Sequence, residues 1–229
     1  MSRFIRLHII AEGQTEERFV RHTLAEHLGY FQISTDVRAV MTSRDKRRGT
    51  VHRGGLISYQ KARKDIQIWL KEDRHPEARF TTMFDFYALP SDFPGYKEAE
   101  KTADPYQKIE LLEESFQEDI HDPRFMPYIQ LHEFEALVLA DPGKLGNEYF
   151  EHDEAIRTLQ DILQKSDGNP ELINDQPETA PSKRILRCIP EYDKVSIGAD
   201  LAGENGIDFL KRQCPHFRSW VQSLEQLSS

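Results

Sequence analysis

Cysteine is nearly absent. Cys188 and Cys214 are the only two among 229 residues, too few for a disulfide framework or a zinc ribbon. Their scarcity makes a reducing cytoplasm the expected location. Long apolar runs are missing too. Nothing approaches the ~20 residues of a membrane span, and MSRFIRLHII at the start reads as the approach to a strand rather than a signal peptide, so no membrane partner is expected. Internal repeats and low-complexity tracts are lacking. Neither GxGxxG nor GxxxxGK[ST] follows the first strand pattern, where Gly13 stands alone, which argues against a dinucleotide or P-loop site. No GxSxG elbow supports a serine hydrolase, and no pair among the nine histidines has HExxH spacing. What is present suffices for a core: 38% hydrophobic and 10% aromatic residues argue against disorder, and the length allows one large domain or a domain with a small lobe.

Charge is uneven. The net charge is -9, yet residues 42–64 hold eight basic side chains and one acid, a local +7. Arg44, Lys46, Arg47, Arg48 and Arg53 crowd its first half. Two readings stand open: a solvated loop and helix face, or a polyanion-binding edge on an acidic protein.

Periodicity predicts alternating strands and helices. Arg3 to Ala11, with Ile5, Ile9 and Ile10, reads as a buried strand. Thr15 stands where an N-cap belongs, Val20, Leu24 and Leu28 repeat at four-residue spacing, and Gly29 stands where a C′ glycine belongs. Gln32 to Met41 reads as a second strand. Past the basic loop, Tyr59, Ala62, Ile66, Trp69 and Leu70 share a helical face, and Phe80 to Phe86 reads as a third strand. Asp104-Pro105 opens another helix as N-cap and N1, with Ile109, Leu112, Phe116 and Ile120 on its apolar face. Phe125 to Leu131 is a candidate fourth strand, after which His132 to Leu139 extends it or turns helical. This is the β-α-β-α-β order of a mostly parallel sheet flanked by helices. The expected division is an α/β core over 1–142 and a helical extension over 143–229 packed on it, with an irregular Pro-rich connector at 169–181.

In an open parallel sheet, functional groups gather past the carboxyl ends of the strands. Three acidic groups fall there: Glu12 and Glu16 after the first strand, Asp85 at the end of the third with Asp92 beyond it, and Glu133 and Glu135 after the fourth. Glu16 also suits the first turn of any helix, Asp92 suits a turn, and Glu133 and Glu135 suit an ordinary surface. Glu12 and Asp85 follow strongly apolar residues, where an unpaired carboxylate is costly. They are the leading candidates to share a divalent cation, and oxygen-only ligands favour Mg²⁺ or Mn²⁺.

The segments EGQTE (12–16), GGLISY (54–59), TTMFDFYALPSDFPG (81–95), LHEFEALVLADP (131–142), PSKRI (181–185) and CPHFRSW (214–220) resemble a prokaryotic TOPRIM-like family often encoded beside ABC-type ATPases in defence islands. More distantly, the chain resembles the TOPRIM domain of topoisomerases, primases and the nucleases of the overcoming-lysogenization-defect class. The resemblance implies a TOPRIM-like fold and a Mg²⁺-dependent (or Mn²⁺-dependent) phosphoryl-transfer site. Glu12 takes acid–base and metal roles, and Glu16 and Asp85 are further ligands. Tyr87 stands where the usual second aspartate belongs, so another ligand comes from Asp92, Glu133 or Glu135 or is missing; Glu133 is the one carried forward. Lys183 resembles the late lysine of the nuclease branch, although a lysine there also suits a solvated helix face. The function expected on these grounds is a nuclease acting on DNA or RNA, with the basic segment on the nucleic-acid backbone and an ABC-type ATPase as protein partner; self-association is left open. The alternatives are a catalytically degenerate docking or regulatory subunit of such an ATPase and a small-molecule phosphotransferase.

Overall fold

A computed structural model of the protein describes residues 4–45, 50–53, 56, 58–173 and 179–229, with 41–45 and 50–53 in their backbone alone. Strand β1 (Ile5–Ala11) is buried on both faces because it lies in the middle of a parallel sheet. It is flanked by β2 (Ile33–Ala39) and β5 (Ala78–Asp85), and β6 (Phe125–Met126) and β7 (Ile129–Gln130) both add in parallel to β5. Ala11 lies opposite Met83 in this register, so both strands run out at the same level.

Alternation along β1 feeds two cores. Ile5, Leu7, Ile9 and Ala11 pack with the helix that begins at α1 (Gln14–Phe19), passes through a π-helical turn at Val20–Leu24 and ends as α2 (Ala25–Gly29). Ile10 faces α3 (Tyr59–Glu72) and α5 (Pro105–Ile120) on the other side. The apolar faces read from the sequence in α3 and α5 are buried, and Asp104 caps α5 by accepting the Gln107 N–H at 2.8 Å. The remaining helices are α4 (Tyr96–Ala99), α6 (Glu135–Val138), α7 (Asp153–Lys165), α8 (Pro181–Cys188), α9 (Ala199–Asn205), α10 (Ile207–Gln213) and α11 (Pro215–Glu225). Leu145, Ile185, Leu210 and Val221 from the chain beyond residue 142 join the β1–α1 core. Sheet and helices thus form an α/β architecture with a helical C-terminal portion.

Several local expectations need correction. Gly13, not Thr15, is the N-cap, because the Glu16 carboxylate folds back onto its N–H. The chain does not turn at Gly29; Tyr30 stays helical, and the left-handed residue is Gln32 at φ 59. The second strand stops at Ala39, and within the basic segment β3 (Met41–Asp45) and β4 (Thr50–Arg53) pair as antiparallel strands where a loop was expected. Its polar residues carry no apolar alternation, so the strand signal was missing. Lys46, Arg47 and Arg48 lie outside the described residues, and Arg44 and Arg53 are placed by backbone only. The fourth strand is two fragments separated by Pro127-Tyr128. Among the described residues, no helix is long and apolar enough to cross a membrane.

Candidate functional site

The carboxyl end of the sheet is acidic and mostly buried. Leaving β1, Glu12 donates its N–H to the Met83 carbonyl at 3.0 Å, and its Oε2 accepts the Asp85 N–H at 2.9 Å. Glu12 thereby prolongs the strand pairing with its side chain. One turn on, the Glu16 Oε2 accepts the Gly13 N–H at 2.8 Å and is 3% exposed. The two glutamates do not share a helix face, because α1 begins only at Gln14; the tight turn at Gly13 brings them together instead.

Asp85 ends β5 and is 4% exposed. Glu133 and Glu135 follow a reversal at His132, which holds a left-handed backbone at φ 64, an uncommon conformation for a residue with a Cβ. Glu135 is fully buried. Glu133 turns toward α8, where its Oε2 accepts the Ser182 N–H at 2.9 Å, a helix N-terminus that welcomes an anion. Two residues past Asp85, the ring of Tyr87 stacks on His132 with centroids 5.4 Å apart, and the Tyr87 N–H donates to the His132 carbonyl at 3.1 Å. Burial holds His132 near pKa 4, hence neutral.

A lysine from the far end of the chain enters this cluster. Lys194 Nζ lies 2.9 Å from the Glu135 Oε2 and 3.5 Å from the Asp85 Oδ2. Asp193 fixes the start of its segment by accepting the Val195 and Ser196 N–H groups at 3.0 and 3.1 Å. The segment makes a π-helical turn (Lys194–Gly198) into α9. Gly203 allows it to lie close on the first helix, where a Cβ would collide with the Thr23 hydroxyl, and a Cβ on Gly198 would collide with the Tyr192 hydroxyl. Arg18 closes the contact with a bidentate pair to Asp200 at 2.9 and 2.8 Å.

Burial, crowding and partial compensation set the electrostatics. Burial and then the Glu16 charge raise the Glu12 carboxyl to about 7. Burial pushes Glu16, Asp85 and Glu135 up while Lys194 opposes it; neighbouring acids push Asp85 further. Burial works against the Lys194 charge, but Asp85, Glu135 and Glu16 outweigh it and hold the ammonium well above its ordinary range. One lysine does not saturate the acids. The Asp85 Oδ1 and Glu135 Oε1 are buried without a hydrogen-bond partner, a costly arrangement for carboxylate oxygens.

Among the described residues, no three His, Cys, Asp or Glu side chains already form a metal-holding group; the acids meet electrostatically, around an ammonium. The donor set still fits a hard divalent cation by its chemistry: oxygen only, anionic, buried, with unpartnered oxygens on Asp85 and Glu135. Of the residues expected from sequence, Glu12, Glu16 and Asp85 come together here and Glu133 lies at the margin. Lys183 is exposed on α8, and Asp92 accepts the Tyr59 N–H at 3.2 Å. Lys194 and the buried position of Glu135 were missed. The only local signal for Lys194 was an Asp before it at a helix start.

The hairpin leaves the sheet at this same end. The Val40 N–H donates to the Ala11 carbonyl at 3.0 Å, one residue before Glu12, and β3 starts at Met41.

The sequence profile of a family described as a domain of unknown function (DUF4276) matches residues 11–225, and the chain belongs to that family. No curated protein matches the chain. Among solved structures, the C-terminal region of the OLD protein of Xanthomonas campestris pv. campestris is similar in its mercury-phased form, at 14% identity over 97% of this chain and 95% of that one, with a TM-score of 0.44. The platinum-phased form gives 15% identity over 97% and 93%, with a TM-score of 0.43.

Proposed function

We propose that this DUF4276 member is a nuclease that hydrolyses phosphodiester bonds with the help of Mg²⁺ or Mn²⁺. The observation that carries this reading is the convergence of Glu12, Glu16, Asp85 and Glu135 on Lys194 at the carboxyl end of the sheet, with buried carboxylate oxygens unpartnered. The sequence segments that resemble TOPRIM proteins supply most of these acids.

Glu12, Glu16 and Asp85 would hold the cation. Such a cation, when bound, supplies polarisation of a phosphoryl oxygen and a more acidic bound water. The protein's own groups do the rest. Glu12 would also accept the proton of the attacking water at a carboxylate oxygen, the general-base role. Lys194, fixed in position and firmly protonated, faces the charge that builds on the phosphoryl oxygens. Asp85 and Glu135 aim its ammonium. The basic residues Arg44, Lys46, Arg47, Arg48 and Arg53 follow the nucleic-acid backbone, the β3–β4 pair leaving the sheet at this same end. Binding is therefore salt-dependent and largely indifferent to sequence. The family resemblance adds an ABC-type ATPase as partner.

The test is cleavage of plasmid DNA and total RNA with Mg²⁺ or Mn²⁺, with and without a co-encoded ATPase. Asp85→Asn is expected to stop cleavage while binding stays intact or tightens, because an anion near the phosphate is gone. Replacing Arg44, Lys46, Arg47 and Arg48 by Ser weakens binding on all sequences. Each lost contact flattens the log–log salt slope by about 0.9 on duplex DNA or 0.7 on single strands. An unchanged slope, with no cleavage under any condition, would favour the docking subunit, for which Lys194 neutralising the acids is the supporting observation.

A further inference from the structure

We propose that the site takes one divalent cation, and that the Lys194 ammonium stands where a two-metal site would hold its second; the inference rests on the nuclease reading above. Paired metal sites place their ions about 3.5–4 Å apart with anionic oxygens on both sides. Here the carboxylates divide between two tasks. The Asp85 Oδ2 and Glu135 Oε2 are spent on Lys194, at 3.5 and 2.9 Å. Glu12 and Glu16 spend only their Oε2 atoms, on the Asp85 and Gly13 N–H groups. The free Asp85 Oδ1 remains as a third oxygen. Among the described residues no three acids already stand as a metal-holding group; Glu12, Glu16 and the Asp85 Oδ1 would close on one cation, while the Glu135 Oε1, also unpartnered, belongs to a carboxylate already held by Lys194.

Lys194 is built into its place rather than resting there. Asp193 caps its segment, the Tyr149 hydroxyl accepts the Asp193 N–H at 3.1 Å, Gly198 lies tight on the Tyr192 hydroxyl, and Gly203 and the Arg18–Asp200 pair hold the following helix on the first. A second dication would have to stand against this ammonium. At Tyr87, where the TOPRIM resemblance puts a second aspartate, the side chain is a ring stacked on His132, so this position supplies no carboxylate. A lysine ammonium is a compact point charge with three donors, suited to replace an ion between two carboxylates.

The experiment counts Mn²⁺ bound to the full chain by calorimetry and electron paramagnetic resonance, with no nucleic acid present. The wild type is expected to bind one Mn²⁺ with the spectrum of an isolated ion. Lys194→Met should bind two, with lines broadened by coupling between neighbouring ions, whereas Lys194→Arg should stay at one. Two ions in the wild type, or one in a folded Lys194→Met, would overturn the single-ion inference and leave the nuclease reading standing. No Mn²⁺ in the wild type would overturn both. Should Lys194→Met fail to fold, the wild-type count still decides.

Discussion

Glu171 and Asp85 are both buried carboxylates, and burial raises the pKa of each. Their surroundings differ in kind. Glu171, fully buried, accepts the Tyr106 hydroxyl at 3.1 Å and the His216 and Phe217 N–H groups at 2.9 Å each. It thereby caps α11 and ties it to α5. Asp85 keeps one oxygen unpartnered, shares a lysine with Glu135 and lies among other acids. A raised pKa therefore does not separate a brace from a working group. The count of satisfied oxygens does.

The sharpest test of that contrast is a pair of substitutions followed by urea denaturation. Glu171→Ala leaves a hydroxyl and two helix N–H groups without their acceptor and should lose about 3–5 kcal/mol of stability. Asp85→Asn removes a charge from a crowd and should cost nothing or stabilise by about 1 kcal/mol, the behaviour of a strained functional position. Equal losses would erase the distinction.

Metal comes next in size. Mn²⁺ at 100 times its dissociation constant should stabilise the wild type by about 2.7 kcal/mol in thermal melts. Glu12→Gln should abolish that shift, and Glu171→Gln should retain it.

Protons provide an effect with a defined sign. Glu12 titrates near 4.5 unfolded and near 7 folded, so between these values the folded state binds more protons. Its contribution to stability is present below about 4.5 and fades as pH rises to about 7, at most about 1.4 kcal/mol per unit. Denaturation midpoints at pH 5 and pH 8 should differ less in Glu12→Gln than in the wild type. The smallest effect belongs to Glu133: its Ala variant loses a cap on α8, about 1 kcal/mol, and a neutral result would remove it from the contrast.

The parts of the fold legible in sequence were those with dense local patterns. α3 and α5 show their buried faces at helical spacing, and Asp104-Pro105 marks its own cap. The hairpin was not legible, since a strand pair of Thr, Ser and Arg has no apolar alternation to reveal it. The N-cap at Gly13 was hidden because the capping oxygen belongs to Glu16. For the site, Glu12, Glu16 and Asp85 could be found from strand ends, where short-range sequence sets position. Lys194 could not. It reaches the acids through helix packing set by Gly203 against Thr23 and by the Arg18–Asp200 pair, and no local pattern encodes that meeting.

The same separation gives the site a timetable during synthesis. Glu12, Asp85 and Glu135 leave the ribosome well before Lys194, and at about 5–20 residues per second the Asp85-to-Lys194 interval is on the order of ten seconds. Throughout that interval the nascent sheet end holds its acids with no internal cation. Solvent and protons must shield them until α9 docks and Arg18 meets Asp200. The acidic cluster is therefore completed late, after most of the chain has emerged.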